Sequence, residues 1–199
     1  MPIFLRGSQK AGTIGHPPVI KSPPLVLTTP ATIVNVERRA KSYTLWKNGK
    51  EFVTIQEDMK LAGTLPAGTY ILRTDIGSVT VSLVPTAKPR PQILWAQQKR
   101  GPNHWFKGNR IVLPAPARII SSAYDGTDSV GIFPAGSHQF VYRYLSPHNI
   151  REKGPAVLGT NGLIPNAKTL VGLLLGPGVF EIVPGLGTTD RLVYAEIKL

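Results

Sequence analysis

The chain contains no cysteine and is poor in acidic residues. Without a thiol it can form neither a disulfide framework nor a thiolate that acts as nucleophile or metal ligand. Its 11 Asp and Glu residues stand against 23 Lys and Arg residues, which gives a formal net charge of +12. A balance this basic favours an acidic partner, such as nucleic acid, an anionic lipid or an acidic protein surface.

Long apolar runs are also missing. The densest, residues 169–175, has seven residues, well short of the ~18 that cross a bilayer. A run of that length, ending in Gly and Pro, predicts a buried strand. The first residues lack the charged, apolar and small-residue regions of a signal peptide. We therefore expect neither membrane contact nor secretion.

Motifs that carry catalysis or bind metals are not recognisable in the sequence. The four histidines have no spacing typical of zinc ligands. There is no Gly-x-Ser-x-Gly nucleophile elbow and no phosphate-binding glycine loop. The nearby acids Asp125 and Asp128 are explained by turn chemistry. The sequence therefore predicts a binding or assembly protein, not an enzyme, with no cofactor and no metal.

Glycine and proline are abundant, with 20 and 19 residues, and only 17% of the chain is charged. This composition is typical of many short strands joined by turns. We predict an all-β fold with two small antiparallel sandwich or barrel modules, at residues 31–85 and 111–199. The pair Asn48-Gly49 between two β-rich runs predicts a type I′ hairpin with Leu45 opposite Phe52.

A turn motif recurs along the chain. Pro-Ala-Gly at residues 66–68 returns at residues 134–136, and residues 176–178 form a looser copy. Each precedes a strand with an aromatic residue. Because a type II turn requires a left-handed residue after its proline, we predict equivalent left-handed positions for Gly68 and Gly136. The recurrence indicates related β units in tandem.

Residues 1–30 hold six prolines and no acid. Proline fixes φ and lacks an N–H, so this segment is predicted to be an extended arm, partly polyproline II, that forms no central strand. Its apolar side chains would have no local structure to bury them. We expect them to contact a neighbouring subunit through Ile14, Val19, Ile20, Leu25 and Leu27.

Residues 76–124 contain no acid, and their middle, 86–110, is predicted to be a basic aromatic linker that binds a partner. The predicted contact residues are Lys88, Arg90, Trp95, Lys99, Arg100, Trp105, Phe106, Lys107 and Arg110. Three interpretations remain open. The segment is a protein-docking surface anchored by Trp and Arg; or its aromatic residues lie in the core while the Lys and Arg charges reach the solvent; or it binds nucleic acid, with cations on the phosphates and aromatic rings stacked on bases.

The arm, the repeated Leu-Pro-Ala-Gly-Thr-Tyr and Phe-Pro-Ala-Gly-Ser turns and the lack of a catalytic set resemble small accessory structural proteins of virus particles. The nearest type is the capsid decoration, or cement, protein of tailed phages. This resemblance is one of general style and aligns no motif. It implies β modules that bind a major capsid protein or other virion proteins, as a homo-oligomer or on a lattice, in the virion and in the host cytoplasm during assembly. The alternative is a nucleic-acid-binding β-barrel protein of the ribosome-associated type.

Overall fold

The computed structural model describes residues 1–86, 91–125, 130–136, 142–145, 163–165, 170–184 and 191–199. These residues form strands, turns and loops without a helix, so the predicted all-β class is confirmed. The chain divides into two units, Met1–Pro89 and Arg90–Leu199. This division differs from the predicted modules, because each unit begins with residues that we had assigned to the arm or to the linker.

The described residues of unit 1 form nine strands in two sheets. One sheet has the order β7-β4-β9-β1-β2, and the other has the order β3-β8-β5-β6. The strands are β1 (Ile3–Lys10), β2 (Val19–Lys21), β3 (Leu25–Leu27), β4 (Ala31–Arg38), β5 (Tyr43–Lys47), β6 (Lys50–Ile55), β7 (Met59–Leu65), β8 (Gly68–Thr74) and β9 (Gly77–Pro85).

The described strands of unit 2 follow one another as β15-β14-β13-β17-β11-β10-β18-β12-β16. Their buried side chains form one apolar cluster, which includes Leu94, Ile119, Ile132 and Ile182. The strands are β10 (Gln92–Lys99), β11 (Trp105–Leu113), β12 (Ala117–Tyr124), β13 (Val130–Pro134), β14 (Tyr142–Leu145), β15 (Leu163–Pro165), β16 (Leu174–Leu175), β17 (Gly178–Pro184) and β18 (Arg191–Lys198).

The β5–β6 hairpin has the predicted turn but not the predicted pairing. Asn48 and Gly49 have φ angles of 51° and 79°, as a type I′ turn requires. A bulge after Leu45 shifts the register, so Leu45 faces Val53 instead of Phe52. The prediction did not include this bulge. The ring of Phe52 instead packs edge-on against Tyr70, with centroids 6.1 Å apart.

The first 30 residues do not form a free arm. Strand β1 lies inside its sheet and pairs with β9 on one side and with β2 on the other. The prediction failed because the prolines after Pro2 lie at positions 17–30, which leaves residues 3–10 with a full set of N–H donors. Of the predicted arm contacts, Leu27 is buried and Leu25 is partly buried within unit 1, whereas Ile14, Val19 and Ile20 are exposed.

The predicted linker is also part of a sheet. Strands β10 and β11 form a hairpin in which Ala96 faces Gly108 and Lys99 faces Trp105. Strand β10 pairs on its other side with β18 over seven residue pairs. The lack of acids and the Trp content suggested a surface segment, but Leu94 and Ala96 on the alternate positions are fully buried.

The two units share one pairing scheme. In unit 1, Leu25 faces Tyr70 and Leu27 faces Gly68; in unit 2, Ile111 faces Phe180 and Leu113 faces Gly178. The same correspondence relates β1 to β10, β4 to β12, β5 to β13 and β9 to β18. Through strands β2 to β4, residues 19–36 match residues 105–122 without a gap. The units are therefore structural copies in tandem.

An irregular feature recurs in both copies. Strand β4 has a bulge at Val34 in its pairing with β9, and β12 has one at Ile120 in its pairing with β18. The two positions correspond, and both side chains are exposed. A bulge adds one residue and bends its strand. A bulge at the same position in both units therefore supports a common origin more strongly than a shared strand order alone.

The copies differ in the segment that pairs first with β1 or β10 and then, past a corner, with β8 or β17. In unit 1 this corner holds Pro23 and Pro24, which lack N–H groups, and the path is broken into β2 and β3. In unit 2 Asn109 occupies the position of Pro23, and β11 is continuous. The buried Asn109 side chain accepts a hydrogen bond from the Trp95 N–H at 3.0 Å and donates one to the Ile93 carbonyl at 2.7 Å.

The turn repeat relates Gly68 to Gly178, in the copy predicted to be looser, and the predicted equivalence of Gly68 with Gly136 is wrong. Gly68 and Gly178 each open a strand, have φ angles of 154° and 152°, and face the corresponding residues Leu27 and Leu113. Gly136 has a φ of 76° and follows β13, so it is not equivalent to Gly68. In the first copy the buried Tyr70 hydroxyl donates to the Pro66 carbonyl at 2.7 Å. Burial raises the pKa of this hydroxyl above its ordinary value, which keeps it a donor.

We predict that Gly68→Ala and Gly178→Ala each lower the free energy of unfolding by about 1–2 kcal/mol, because a side chain is disfavoured at these positive φ angles. Urea denaturation followed by tryptophan fluorescence measures the change. Gly176→Ala is the matched control, because a Cβ there meets no atom within 4 Å and its φ lies outside the left-handed range. Equal stability of Gly176→Ala and Gly178→Ala would contradict the proposed equivalence.

A second prediction concerns the corner of unit 2. Asn109→Ala leaves the Trp95 N–H and the Ile93 carbonyl without their partner, which should cost about 2 kcal/mol or more. Asn103→Ala, in the exposed loop of the same hairpin, serves as control and should be neutral. Urea denaturation of both variants measures the difference. A loss below about 0.5 kcal/mol for Asn109→Ala, the usual size for surface substitutions, would show that the side-chain bridge does not hold the corner.

Candidate partner-binding surface

The predicted contact residues divide between two sides of the β11–β10–β18 sheet. Leu94, Ala96, Val193 and Ala195 are fully buried on one side. Since successive side chains alternate, the residues between them lie on the opposite side, here called the outer face. Its opposed positions are Lys99 with Trp105, Gln97 with Lys107 and with Leu192, Trp95 with Tyr194, and Ile93 with Glu196.

Apolar and aromatic side chains dominate the centre of the outer face. Ile93, Leu192 and Tyr194 expose 55%, 45% and 40% of their surface. Trp95 and Trp105 are partly buried and lie one row from Leu192 and Lys107. Trp95 and Tyr194 are directly opposed, so their Cβ atoms lie about 5 Å apart. Leu192 and Ile93 are their diagonal neighbours, within reach of the two rings, and these four residues form an apolar patch.

Two lysines lie at the hairpin end of the outer face. The ammonium group of Lys107 lies 4.8 Å from the centre of the Trp105 ring, within the range of a cation–π interaction. Lys99 lies opposite Trp105 and is exposed. Within the described part of the chain, neither lysine forms a salt bridge. Their charge is therefore free to act on a partner.

The charges of the outer face lie towards its two ends. Lys99 and Lys107 lie towards the hairpin end, and Glu196 lies opposite Ile93 towards the other end. The exposed Lys198, the next outward position of β18, lies beyond Glu196 and opposite the exposed Arg118. A complementary partner would therefore place apolar groups at the centre and acids at the hairpin end.

Other predicted contact residues have structural roles. Phe106 packs against the core cluster of unit 2. Arg110 and Glu181 form a salt bridge at 3.0 Å, with both side chains largely buried. Arg100 lies against the Gln98 amide, whose oxygen accepts from its guanidinium. Lys88 and Arg90 lie outside the described residues. Of the nine residues, Trp95, Lys99, Trp105 and Lys107 thus meet on one face.

Three apolar or aromatic residues of the outer face were not among the predicted contacts: Ile93, Leu192 and Tyr194. A signal for the last two was present, because residues 191–198 alternate Leu192, Tyr194 and Glu196 with apolar residues. Such alternation indicates a strand with one buried side. The sequence did not show that this strand pairs with β10. That pairing places Tyr194 opposite Trp95.

The described residues hold no group of three His, Asp or Glu side chains that could bind a metal ion. They also contain no helix long enough and apolar enough to cross a membrane. Comparison with known protein families found no match, and comparisons with curated proteins and with solved structures found none either.

Proposed function

We propose that this chain is a non-enzymatic structural protein of a virus particle, which binds and stabilises a capsid or a head or tail assembly. In this proposal each unit is a compact β-sandwich. The partner, a major capsid protein or another virion protein, binds the outer face of unit 2. The chain acts as a homo-oligomer or as part of a lattice of such contacts.

The observation that carries the proposal is the exposed patch of Trp95, Leu192 and Tyr194 between Lys99 and Glu196. Soluble monomers rarely expose large contiguous apolar patches, and patches with a polar rim mark interaction sites. Trp and Tyr are enriched among the residues that contribute most to protein–protein affinity. A face with aromatic residues at its centre and charges at its ends therefore supports a protein partner.

The N-terminal region has a smaller part in this proposal than the sequence suggested. Leu27 is buried in unit 1 and is excluded as an arm contact, and Leu25 is partly buried. Ile14 is fully exposed in the loop between β1 and β2, and Val19 and Ile20 expose 52% and 60% of their surface. In this proposal Ile14 in the loop and Val19 and Ile20 on β2 provide a secondary contact, without an arm that reaches a neighbouring subunit.

Particle fractionation tests the proposed location. Particles from infected cells are treated with nuclease, separated by density gradient and probed with an antibody raised against the purified chain. We expect the chain to sediment with the major capsid protein at a fixed ratio. Finding it only in the soluble fractions, or losing it from the particles when nuclease removes accessible nucleic acid, would contradict the proposal.

The outer face is tested by adding purified variants back to particles from which the chain has been removed. Trp95→Ala and Tyr194→Ala should each lower affinity by about 2 kcal/mol, or roughly 30-fold, as truncation of a central aromatic contact does. Lys99→Glu with Lys107→Glu should weaken binding about tenfold or more, because like charges then meet at the interface.

The control for the charge reversal is Lys41→Glu with Lys50→Glu, which makes the same change in net charge at exposed positions of unit 1. It should leave binding within about twofold of the wild type, since long-range effects of surface charge are screened by salt. If both charge reversals weaken binding equally, only net charge matters and the outer face is not the interface. Circular dichroism confirms that each variant is folded.

A further inference from the structure

Unit 1 presents a different surface at the position that corresponds to the outer face of unit 2. Val79, Val81 and Leu83 of β9 are buried, so Ser78, Thr80 and Ser82 point the other way. The side chains opposite them on β1 lie on the same side. The opposed positions are Ser8 with Ser78 and with Lys21, Arg6 with Thr80, Phe4 with Ser82, and Lys10 with Val19.

Part of this surface is a groove of about 680 Å³. Its walls combine two cations with four hydroxyl groups and with the exposed ring of Pro23; Gly7 and Val79 also border it but are buried. The charged and hydroxyl residues that line it are Arg6, Lys21, Ser8, Ser22, Ser78 and Thr80. None of the residues that line it is acidic. The groove therefore offers hydrogen-bond donors and positive charge beside the ring of Pro23.

The polar groups of the groove are largely unused within the protein. The Ser22 hydroxyl oxygen is buried and has no hydrogen-bond partner among the described residues. Neither Arg6 nor Lys21 forms a salt bridge in the described part of the chain. The nearest acid on this face is Glu37, which lies opposite Thr80 on β4 and so two strands from Arg6. It accepts a 3.5 Å hydrogen bond from Asn35.

An aromatic side chain borders the groove. Phe4 exposes 45% of its surface, and the Arg6 guanidinium lies 5.0 Å from the centre of its ring. Phe4 and Arg6 are successive outward positions on β1. An aromatic ring beside cations is an element with which proteins bind single strands, because bases stack on the ring and phosphates pair with the charges.

The comparison of the two copies shows which features are particular to unit 1. Lysines occur at corresponding positions in both copies: Lys10 corresponds to Lys99, and Lys21 to Lys107. The neighbouring positions differ, since Arg6 and Thr80 stand where unit 2 has Trp95 and Tyr194. The second copy thus has an aromatic centre, whereas the first has a cation and a hydroxyl.

We infer that the groove of unit 1 is a binding site for single-stranded nucleic acid, with Arg6, Lys10 and Lys21 on the phosphates and Phe4 against a base. An acidic protein segment would satisfy the cations equally well. The exposed ring of Phe4, on which a base can stack, and the hydroxyls, which donate to phosphate oxygens, favour the nucleic acid. The groove lies in unit 1 and the outer face in unit 2, so variants separate this activity from the proposed virion contact.

The test measures binding of a fluorescein-labelled 20-nucleotide oligothymidylate to the full chain by anisotropy, over a series of salt concentrations. Arg6→Ser with Lys21→Ser should weaken binding at least about tenfold and reduce the salt slope by roughly 1.4, since each phosphate contact on a single strand contributes about 0.7. Phe4→Ala should weaken binding about fivefold or more with an unchanged slope, because stacking is not ionic.

The matched control is Lys41→Ser with Lys50→Ser, which removes the same charge from unit 1 away from the groove and should change affinity less than about twofold. Equal losses in the two double variants would overturn the proposal, because binding would then depend on net charge alone. The proposal would also be overturned if a polyglutamate peptide bound the wild type as tightly as the oligonucleotide does and lost the same affinity in Arg6→Ser with Lys21→Ser.

A further measurement does not depend on the folding of variants. Lysine acetylation of the wild-type chain, read by mass spectrometry, should show that the oligonucleotide protects Lys10 and Lys21 but leaves Lys41 and Lys50 reactive. Protection at Lys99 and Lys107 in place of Lys10 and Lys21 would assign nucleic-acid binding to unit 2 and would overturn the inference.

Discussion

The pairing of the first strand of each unit with its last strand is the constraint on which the rest of the structure depends. β1 pairs with β9 and β10 pairs with β18, each over seven residue pairs. Because side chains alternate along a strand, a slip of one residue would turn every core side chain outward. The same register that buries Leu5 and Leu94 therefore places Arg6 and Trp95 on the surface. Core packing and surface chemistry are fixed by one set of backbone hydrogen bonds.

The two copies diverge where that constraint is weakest. At the corner between the sheets, unit 1 has Pro23 and Pro24, which donate no backbone hydrogen bond and interrupt the strand. Unit 2 has Asn109 at the same position, and its buried amide replaces two ladder hydrogen bonds of Ile93 and Trp95. The crossing strand of unit 1 thus lacks donors at its corner, whereas that of unit 2 supplies a side-chain acceptor and a side-chain donor to β10. A broken strand and a continuous one therefore occupy the same place in the two copies.

Local features of the sequence predicted local structure well. The all-β class, the Asn48-Gly49 turn and the one-sided burial of residues 78–84 follow from turn chemistry and from a period of two. The bulge that displaces Phe52 and the pairing of β1 with β9 could not be predicted, because they depend on partners distant in the sequence. Composition misled at residues 3–10 and 92–99, since prolines and cations next to a strand do not determine the strand itself. Tyr194 was not predicted as a contact for a related reason, because its position opposite Trp95 depends on the pairing of two strands that are distant in the sequence.

Duplication gives one backbone position two different surface chemistries. The lysine pairs Lys10 with Lys21 and Lys99 with Lys107 keep one end of both faces positive, so each copy favours an anionic group there. What differs is the side chain beside that end. A flat protein partner that covers Trp95 and Tyr194 removes their apolar surface from water, whereas Arg6 next to Thr80 keeps its hydrogen bonds only if the ligand supplies acceptors. Corresponding strands of the two units therefore present an apolar centre in unit 2 and a polar one in unit 1.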